Sequence, residues 1–510
     1  MEYETIIGLE VHVQLSTKSK LFCSCSTKYG ADANTNVCPH CLGKPGQLPV
    51  INKNAIKLAI AAAIMTNSEI ADVITFDKKC YDSPDMPAGY QVTQVESPLC
   101  KNGWVEISHE DTSGETKKKR ITLKQIHIEE DAGRVIHAPD TSSSLIDFNR
   151  ASVPLIEIVT NPDFRSAAEV VAFMEKLKSL LSFSEVSDCK MQEGSMRCDV
   201  NLSIREKGSV KPGTRTEIKN LNSLNAITKA IEFETTRHIT AQKGHGEKIT
   251  SETRRWDSAL GETVLMREKD ETQGYQIIPH CEIAPIYIDI QWVEEIRTAL
   301  PESAGEKYER FNKQLGLPPV DCKLITSNKN LAYIFEETLR NINNKKEAAT
   351  KSTTAPKDTA APNAPHIPKE TANWIIGDLL GICKGINYDD ISVDCEKLAK
   401  VIVHVKNQTI TRATGKILIE KIYTDDIDPD AYIKEKNLGM INNKDILEPI
   451  IRDIVINNPK TLADYQNGKT KAYQFFVGQV MKKTAGKADS KLTNELLSKI
   501  LNNDNEVTKA

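Results

Sequence analysis

The chain has 510 residues, of which 39% are hydrophobic and 27% charged, and this length predicts about three domains rather than one core. Its formal net charge of −4 excludes a general electrostatic attraction to nucleic acid, so any such contact requires a local basic patch. No apolar run is long enough to span a membrane, and a strand-like motif within the first ten residues leads us to expect no signal peptide. The twelve cysteines are then expected to be reduced thiols, which predicts a cytoplasmic protein.

Short alternating strands and turns predominate up to about Trp292, and three helices interrupt them. Apolar periodicity predicts these helices over Asn52–Met65, Ser166–Ser182 and Ser223–Gln242. Ser166 with Glu169 at the third helical position forms a capping box. The pattern predicts an α+β fold class, with a β-sheet cradle domain and its helices over residues 1–295.

The pattern becomes helical from about Val293, with helices predicted over 293–300, 303–315 and 328–341. Asn343–Pro368 contains almost no apolar bulk, so burial cannot offset the entropy of ordering, and we predict a disordered linker or insertion there. The helical pattern resumes at Asn373 and continues to about Asn502. We therefore predict an all-helical domain over residues 296–407 and a small helical tail domain over residues 408–510.

Four of the predicted strands carry polar, often acidic, side chains. Period-two alternation directs such residues to one face of a strand. These residues are Glu10 and His12; Glu129, Glu130 and Asp131 after Ile126-His127-Ile128; Arg197, Asp199, Asn201, Ser203 and Arg205; and Arg215, Glu217 and Lys219. If the strands share one sheet, the carboxylates suit Mg²⁺ and the basic groups suit phosphate oxygens. A solvated face of an antiparallel sheet is the alternative.

Four cysteines form the sharpest motif of the chain. Cys23 and Cys25 are followed, after a short loop, by Cys38 and Cys41. Two close thiol pairs match a structural Zn²⁺ site with four closed ligands, which would hold the N-terminal loop. His40 is a possible substitute ligand, and four free buried cysteines are the alternative.

Several common catalytic motifs do not occur in this sequence. It contains no Gly-x-x-x-x-Gly-Lys-Ser/Thr phosphate loop, no dinucleotide fingerprint and no Gly-x-Ser-x-Gly nucleophile elbow. If the chain uses ATP, metal-bound carboxylates on a sheet must replace the phosphate loop.

The tail combines lysines with an apolar helical stripe. Phe475, Phe476, Val480 and Met481 form the stripe, and the lysines are Lys469, Lys471, Lys482, Lys483 and Lys487. A small basic helical domain on a balanced protein favours local binding of a phosphate backbone. A solvated lysine face is the alternative.

Taken together, these motifs resemble those of one family, the B subunits of the aspartyl/glutamyl-tRNA(Asn/Gln) amidotransferases. The resemblance runs nearly end to end, includes the four-cysteine loop, and is strongest in Gly8–Leu15, Ile126–Gly133, Gly194–Asn201, Arg215–Ser223 and Val477–Met481. It implies that residues 1–295 form a catalytic cradle with the zinc ribbon at 23–41, and that the tail domain is mobile and meets the tRNA.

The resemblance also implies a reaction and partners. ATP would phosphorylate the side-chain carboxylate of misacylated Glu-tRNA(Gln) or Asp-tRNA(Asn), and ammonia would then displace the phosphate. The ammonia would come from glutamine hydrolysed on the A subunit, in a heterotrimer of A, B and C subunits. The implied cofactors are ATP, Mg²⁺ and structural Zn²⁺.

Site residues carry over from the resemblance by their positions in this chain. The Mg²⁺ ligands, which are also the catalytic residues, fall on Glu10, His12, Glu130 and Glu217, with Glu129 as the near alternative to Glu130. Lys79, Asp199, Asn201 and Lys219 are the expected ATP- or phosphate-binding groups, whereas Arg197 and Arg205 are expected to form ion pairs on the sheet face. The five tail lysines are the expected tRNA-binding residues.

Three segments depart from the family pattern: residues 80–83, Ser152 where Gly is usual, and residues 273–283. They leave the expected metal ligands intact. Two other functions remain open from sequence: a tRNA-binding scaffold with a decayed kinase site, and a metal-dependent nuclease using the same carboxylates.

Overall fold

The computed structural model describes residues 2–110, 113–137, 143–269, 275–351 and 367–502. The chain forms two compact units that divide between Ser303 and Ala304. Among the described residues, no helix is both long enough and apolar enough to cross a membrane.

The first unit contains the strands and four of the helices. Its strands are β1 (Tyr3–Gln14), β2 (Glu69–Ile70), β3 (Val73–Ile74), β4 (Asp77–Cys80), β5 (Tyr90–Thr93), β6 (Cys100–Lys101), β7 (Trp104–Glu110), β8 (Thr116–Glu130), β9 (Arg134–His137), β10 (Ser144–Asp147), β11 (Pro154–Thr160), β12 (Met196–Glu206), β13 (Thr216–Leu221), β14 (Glu252–Asp257), β15 (Glu262–Glu268), β16 (Gln276–Pro279) and β17 (Ile286–Tyr287). Its helices are α1 (Lys53–Met65), α2 (Ala167–Phe183), α3 (Leu224–Gln242) and α4 (Ile290–Ala299).

Within the described residues, a ten-stranded sheet organises this unit. Its order is β15-β14-β13-β12-β1-β11-β8-β6-β2, and β7 also pairs with β8. Neighbouring strands are antiparallel except β13 and β14, which are parallel. The four polar strands are β1, β8, β12 and β13, so the condition that they share one sheet is met.

The apolar face of this sheet packs against helices. Leu9, Val11 and Val13 of β1 are buried in one core cluster with Phe173 of α2 and Ile227 of α3. The predicted helices agree with α1, α2 and α3 to within one residue at each end. The first residue of each prediction is the N-cap of the observed helix. Because the helices cover the apolar face, the alternate residues of β1 are left on the other face of the sheet.

The second unit is helical over the residues described. Its elements are α5 (Ala304–Lys313), α6 (Pro319–Ile325), α7 (Lys329–Lys351), α8 (Ile367–Asn373), a π-helical segment (Trp374–Leu379), α9 (Leu380–Ile382), a 3₁₀ turn (Tyr388–Asp390), α10 (Cys395–Lys406), α11 (Arg412–Asp425), α12 (Pro429–Glu435), α13 (Lys444–Ile456), α14 (Pro459–Gln466), α15 (Thr470–Lys483) and α16 (Ser490–Asn502). Leu447, Phe476 and Leu497 join α13, α15 and α16 in a separate core cluster.

The disorder predicted over 343–368 is wrong for its first part, because α7 continues to Lys351. The sequence of this part is rich in Lys, Glu and Ala, which are strong helix formers even without apolar bulk. Helix α8 begins within the end of the predicted linker, at Ile367. The remainder of that prediction, residues 352–366, lies outside the described residues.

A buried ion network fixes the outer strands of the sheet to α3. The Glu234 side chain is fully buried, and its Oε2 lies 2.9 Å from Arg237 Nη2 and 3.4 Å from His238 Nε2. The Thr263 hydroxyl of β15 donates to the same carboxylate. Burial opposes ionisation, but the contacts with His238 and Arg237 outweigh it and lower the Glu234 pKa to about 2.

We predict that Glu234→Gln lowers the free energy of unfolding by about 3 kcal/mol at pH 7. A lowered folded-state pKa stabilises the fold above the unfolded pKa of about 4.5, and this contribution is lost as the pH falls toward 2. Urea denaturation at several pH values measures the difference, which should shrink below pH 4.5. Glu232→Gln, on an exposed position of the same helix, is the matched control and should change little; a pH-independent loss in Glu234→Gln would contradict the assignment.

Candidate active site

The pairing of β1 with both neighbours collects polar side chains on one face of the sheet. Glu10 lies opposite Asp199 of β12. His12 lies opposite Glu157 of β11 and Arg197 of β12. Antiparallel residues that lie opposite each other project to the same face, so two rows of acids converge around β1.

His12, Glu129 and Glu157 form the first group on this face. One ligand atom from each lies within 4.8 Å of the others. His12 Nε2 is 3.3 Å from Glu129 Oε1 and 3.6 Å from Glu157 Oε2. The neighbouring His127 Nε2 is 3.0 Å from Glu157 Oε2. An imidazole and two carboxylates at this spacing can hold a divalent cation.

Protons on the histidines hold this group together when no cation is bound. Burial disfavours the charged form of His12, but Glu129 and Glu157 outweigh it and raise the His12 pKa to about 8. The same opposition raises the pKa of His127 to about 10. Burial would raise the pKa of Glu129, whereas His12 and His127 hold that pKa well below its usual range. A cation that binds His12 must therefore displace a proton from it.

Glu10, Asp199 and Glu217 form the second group, again with ligand atoms within 4.8 Å of one another. Asn201 Nδ2 donates to Glu10 Oε1 over 3.1 Å. Lys219 Nζ lies 2.8 Å from Asp199 Oδ2 and 3.2 Å from Glu217 Oε1. The structure thus brings together five residues that the sequence singled out.

The charges of the second group are unevenly compensated. Burial raises the pKa of Glu10, and the charges of Glu157, Glu217 and Asp199 raise it further. Burial also opposes ionisation of Glu217, but Lys219 and Lys269 outweigh it and lower the Glu217 pKa to about 2. Glu10 is therefore the carboxylate with the most to gain from a nearby cation.

Glu130 does not join either group, because it points to the other face of the sheet. Its position on β8 has the parity of the buried core residues Ile126 and Ile128. Glu130 Oε1 accepts a hydrogen bond from Val92 N over 2.9 Å. Burial raises its pKa to about 7. The structure brings Glu129, the near alternative, to His12.

The cavity beside Glu130 contains the unusual Ser152, with Lys78, Tyr90 and His280 also on its wall. Ser152 has a φ of 65°, in the left-handed region that glycine adopts without strain. This conformation fits the glycine that the family resemblance leads us to expect at this position, and the serine holds it with backbone strain.

Lys79 lies against aromatic rings rather than among the carboxylates of the two groups. Its Nζ is 4.5 Å from the centroid of the Tyr275 ring and 5.9 Å from that of Tyr81. Part of the atypical segment 273–283 adjoins it, whereas residues 273 and 274 lie outside the described residues.

Arginines form ion pairs along the face, as predicted for Arg197 and Arg205. Arg197 Nη2 is 2.8 Å from Asp131 Oδ1, and Arg205 Nε is 2.8 Å from Glu4 Oε1. Arg197 also lines two adjacent concavities, one with His12, Glu129, Asp199 and Lys219, the other a groove with Lys28, Tyr29, Arg134 and Arg150. The groove also contains Asp147 and Glu193, so the acidic face opens beside a groove in which basic residues outnumber acidic ones.

The four predicted cysteine ligands converge. The sulfur atoms of Cys23, Cys25, Cys38 and Cys41 lie within 4.8 Å of one another, and Cys38 N donates to Cys41 Sγ over 3.1 Å. The Cys41 pKa is lowered to about 4, and the hydrogen bond with Cys23 is the largest cause. This cluster could hold a metal ion; His40 is not one of its members.

Two of the five tail lysines form ion pairs with aspartates. Lys469 Nζ is 2.8 Å from Asp464 Oδ1, and Lys483 pairs with Asp453. Lys471 and Lys482 are exposed on α15, and Lys487 is half-buried after it. Phe476 and Val480 are buried as the apolar stripe predicts, whereas Phe475 is partly exposed.

Comparison with known proteins identifies the family. A GatB/GatE catalytic domain model matches residues 5–294, and a GatB domain model matches residues 358–501. The B subunit of the aspartyl/glutamyl-tRNA(Asn/Gln) amidotransferase of Caldicellulosiruptor bescii is 45% identical over 502 residues, covering 98% of each chain. The protein of the same name from Thermoanaerobacter pseudethanolicus is 43% identical over 503 residues, covering 98% of this chain and 100% of its own.

The chain belongs to the family of amidotransferase B subunits. The scaffold function is not favoured, since the catalytic domain model matches residues 5–294 and the sheet face contains two groups of side chains that could hold a metal ion. Membership in this family supports a role as one component of a tRNA-amidating enzyme.

Two residues on the acidic face, Glu157 and His127, were not among the site residues predicted from the sequence. Glu157 lies in the run Leu155-Ile156-Glu157-Ile158, whose alternation is as regular as that of β1. His127 was visible only as part of the motif around Glu129. The missed signal was parity, because His127 and Glu129 are two residues apart and must share a face.

Proposed function

We propose that this chain carries the ATP-dependent amidation site of a glutamine-dependent aspartyl/glutamyl-tRNA amidotransferase, as the B subunit of a heterotrimer with A and C subunits. A side-chain carboxylate oxygen of Glu-tRNA(Gln) or Asp-tRNA(Asn) attacks the γ-phosphorus of ATP, and ADP leaves. Ammonia from the A subunit then attacks the acyl carbon, phosphate leaves, and the nitrogen loses a proton to give the amide.

The observation that carries this proposal is the pair of cation-binding groups on one face of the sheet. Their donors are carboxylate oxygens and one imidazole, which suit Mg²⁺. His12, Glu129 and Glu157 would hold one ion, and Glu10, Asp199 and Glu217 a second. When bound, Mg²⁺ neutralises phosphate oxygens during phosphoryl transfer.

Basic side chains beside these groups would bind the anionic reactants. Arg197 and Lys219 line the same concavity as His12 and Asp199, so both can meet phosphate oxygens. Arg134 and Arg150 line the adjacent groove together with the exposed Tyr29, a combination that suits the backbone and bases of a single-stranded RNA end.

Glu130 takes a different role from the cation ligands in this proposal. It lies in the cavity on the other side of β8, and its pKa of about 7 lets it gain or lose a proton near neutral pH. We assign it to proton transfer with the incoming ammonia, because an ammonium ion must lose a proton before it can act as a nucleophile.

Adjacent substitutions separate the two glutamates. We predict that Glu129→Gln abolishes one Mn²⁺-binding site and lowers amidation at least about 100-fold, because a cation loses an ionised ligand. Glu130→Gln should retain Mn²⁺ binding and ATP hydrolysis but lose amidation. Manganese titration and separate measurements of ADP and amide formation provide the readouts; loss of the Mn²⁺ site in Glu130→Gln would reverse the assignment.

The proposed function itself is tested by reconstitution with the A and C subunits, glutamine, ATP-Mg²⁺ and each misacylated tRNA in turn. We expect Gln-tRNA(Gln) or Asn-tRNA(Asn) that requires ATP and disappears with Glu10→Ala. Nuclease action would instead shorten the tRNA without ATP. Failure to amidate either tRNA would refute the proposal.

We further propose that the cysteine cluster holds structural Zn²⁺. Zinc–sulfur bonds of about 2.3 Å in a tetrahedron place sulfurs about 3.8 Å apart, and Cys38 Sγ and Cys41 Sγ are 3.9 Å apart. Four thiolates leave no open position, so this ion would fix the loop and take no part in the reaction.

Metal analysis of the purified chain should find about one zinc per chain. Cys38→Ser should lower that content several-fold and reduce the melting temperature, because the folded loop loses a ligand. Cys281→Ser replaces an exposed cysteine outside the cluster and should leave zinc unchanged. A full zinc content in Cys38→Ser would contradict the proposed ligand set.

We also propose that the tail binds the tRNA backbone through Lys469, Lys471, Lys482, Lys483 and Lys487. Lys471 and Lys482 contribute most, because both are exposed. Ion pairs with aspartates partly neutralise Lys469 and Lys483, and Lys487 is half-buried. Each lysine that meets a phosphate adds about one unit to the salt dependence of binding.

Charge reversal tests this surface without disturbing its core. Lys471→Glu should weaken tRNA binding about tenfold and lower the salt slope, with ATP binding unchanged. Lys491→Glu makes the same charge change at the exposed start of α16 and is the matched control. Equal effects of both variants would indicate a diffuse attraction rather than this surface.

A further inference from the structure

The second carboxylate group, Glu10, Asp199 and Glu217, already contacts a positive charge of this chain, the ammonium of Lys219. Lys219 Nζ lies 2.8 Å from Asp199 Oδ2 and 3.2 Å from Glu217 Oε1, so one ammonium bridges two of the three carboxylates. No histidine belongs to this group, in contrast to the first one. The two groups therefore balance their acids differently, one with histidine protons and the other with a lysine.

We propose that Lys219 is a movable internal cation: its ammonium neutralises the Glu10–Asp199–Glu217 group until a divalent ion arrives, and then moves to a phosphate oxygen of the nucleotide. This inference rests on the proposed function and adds an order of events to it. The first cation site is available to metal alone, whereas the second fills well only together with nucleotide.

Charge counting supports the exchange. With its three carboxyls ionised, the second group together with the ammonium groups of Lys219 and Lys269 has one net negative charge. If a divalent ion joined while Lys219 stayed, the group would become positive. If the ion replaces Lys219, the group becomes neutral, and the released ammonium is free to pair with another anion.

The surroundings of Lys219 allow this movement. Its side chain is 34% exposed, so the ammonium is not enclosed, and a lysine stem has four rotatable bonds. It lines the same concavity as Arg197. A phosphate bound in that concavity would lie within reach of both cations, which offers the ammonium a second anionic partner.

Lys269 is not equivalent to Lys219. Its Nζ contacts Glu217 Oε2 at 2.6 Å, the oxygen that also accepts from the Thr253 hydroxyl over 2.9 Å. Lys219 instead contacts Oε1 and also reaches Asp199. Lys269 therefore orients Glu217 from one side, and Lys219 alone of these two bridges the carboxylates that a cation would share.

The test is a titration of the full chain with Mn²⁺ in the absence of nucleotide, with electron paramagnetic resonance as the measure of bound Mn²⁺. The wild-type chain should bind one ion well and a second at least about tenfold more weakly. Lys219→Met retains the aliphatic stem and should tighten the second site about tenfold, because a competing charge is removed. Lys269→Met should tighten it less.

A second measurement distinguishes movement of the Lys219 ammonium from simple damage to the fold. Lys219→Met should weaken binding of Mg²⁺-ADP about tenfold in calorimetry, because the ammonium no longer reaches phosphate. Tighter Mn²⁺ and weaker ADP have opposite signs, whereas a damaged fold would weaken both. Lys119→Met is the matched control, since Lys119 pairs with Glu169 over 2.8 Å and has a similar exposure of 28%.

Unchanged or weaker Mn²⁺ binding at the second site in Lys219→Met would overturn the proposal, as would unchanged ADP binding. These outcomes are distinct from failure of the proposed function. An enzyme that amidates tRNA but shows no Lys219 effect would refute only the internal cation. A chain that shows the opposite shifts but never amidates tRNA would refute only the proposed reaction.

Discussion

The rest of the site depends on the pairing of β1 between β11 and β12. This register places Glu10 opposite Asp199 and His12 opposite both Glu157 and Arg197. A slip of one residue in either ladder would turn the acids into the core and the aliphatic residues into solvent. Burial of Leu9 and Val11 with α2 and α3 therefore sets the positions of the acids, although these apolar residues lie on the opposite face of the sheet.

Gathering acids on one face opposes folding, because like charges repel and burial disfavours each carboxylate. The chain offsets this cost with its own cations. Protonated His12 and His127 face Glu129 and Glu157, and Lys219 bridges Asp199 and Glu217. Glu10 accepts a hydrogen bond from a neutral donor, Asn201, and its pKa is raised by burial and by neighbouring carboxylates. This arrangement leaves a carboxyl that suits added positive charge, which is the basis of the proposed Mg²⁺ sites.

The two neighbours Glu129 and Glu130 show how one strand serves two surfaces. Glu129 lies with the histidines, and Glu130 lies in a cavity on the other side of the sheet, beside Ser152 and His280. Their pKa values move in opposite directions, since the histidines favour the charged form of Glu129 and burial favours the neutral form of Glu130. Two carboxyls with different environments can take two roles in one reaction.

The sequence by itself determined the fold class, the first three helices, the four polar strands and the cysteine cluster, because each depends on periodicity or spacing over a few residues. It also resembled the family that the comparisons identify. Only the tertiary structure decided that Glu129 rather than Glu130 meets His12, that Glu157 joins them, and that Lys219 lies between two carboxylates. Those contacts depend on the register between strands far apart in the chain, which is set by hydrogen bonds and core packing that local patterns do not encode.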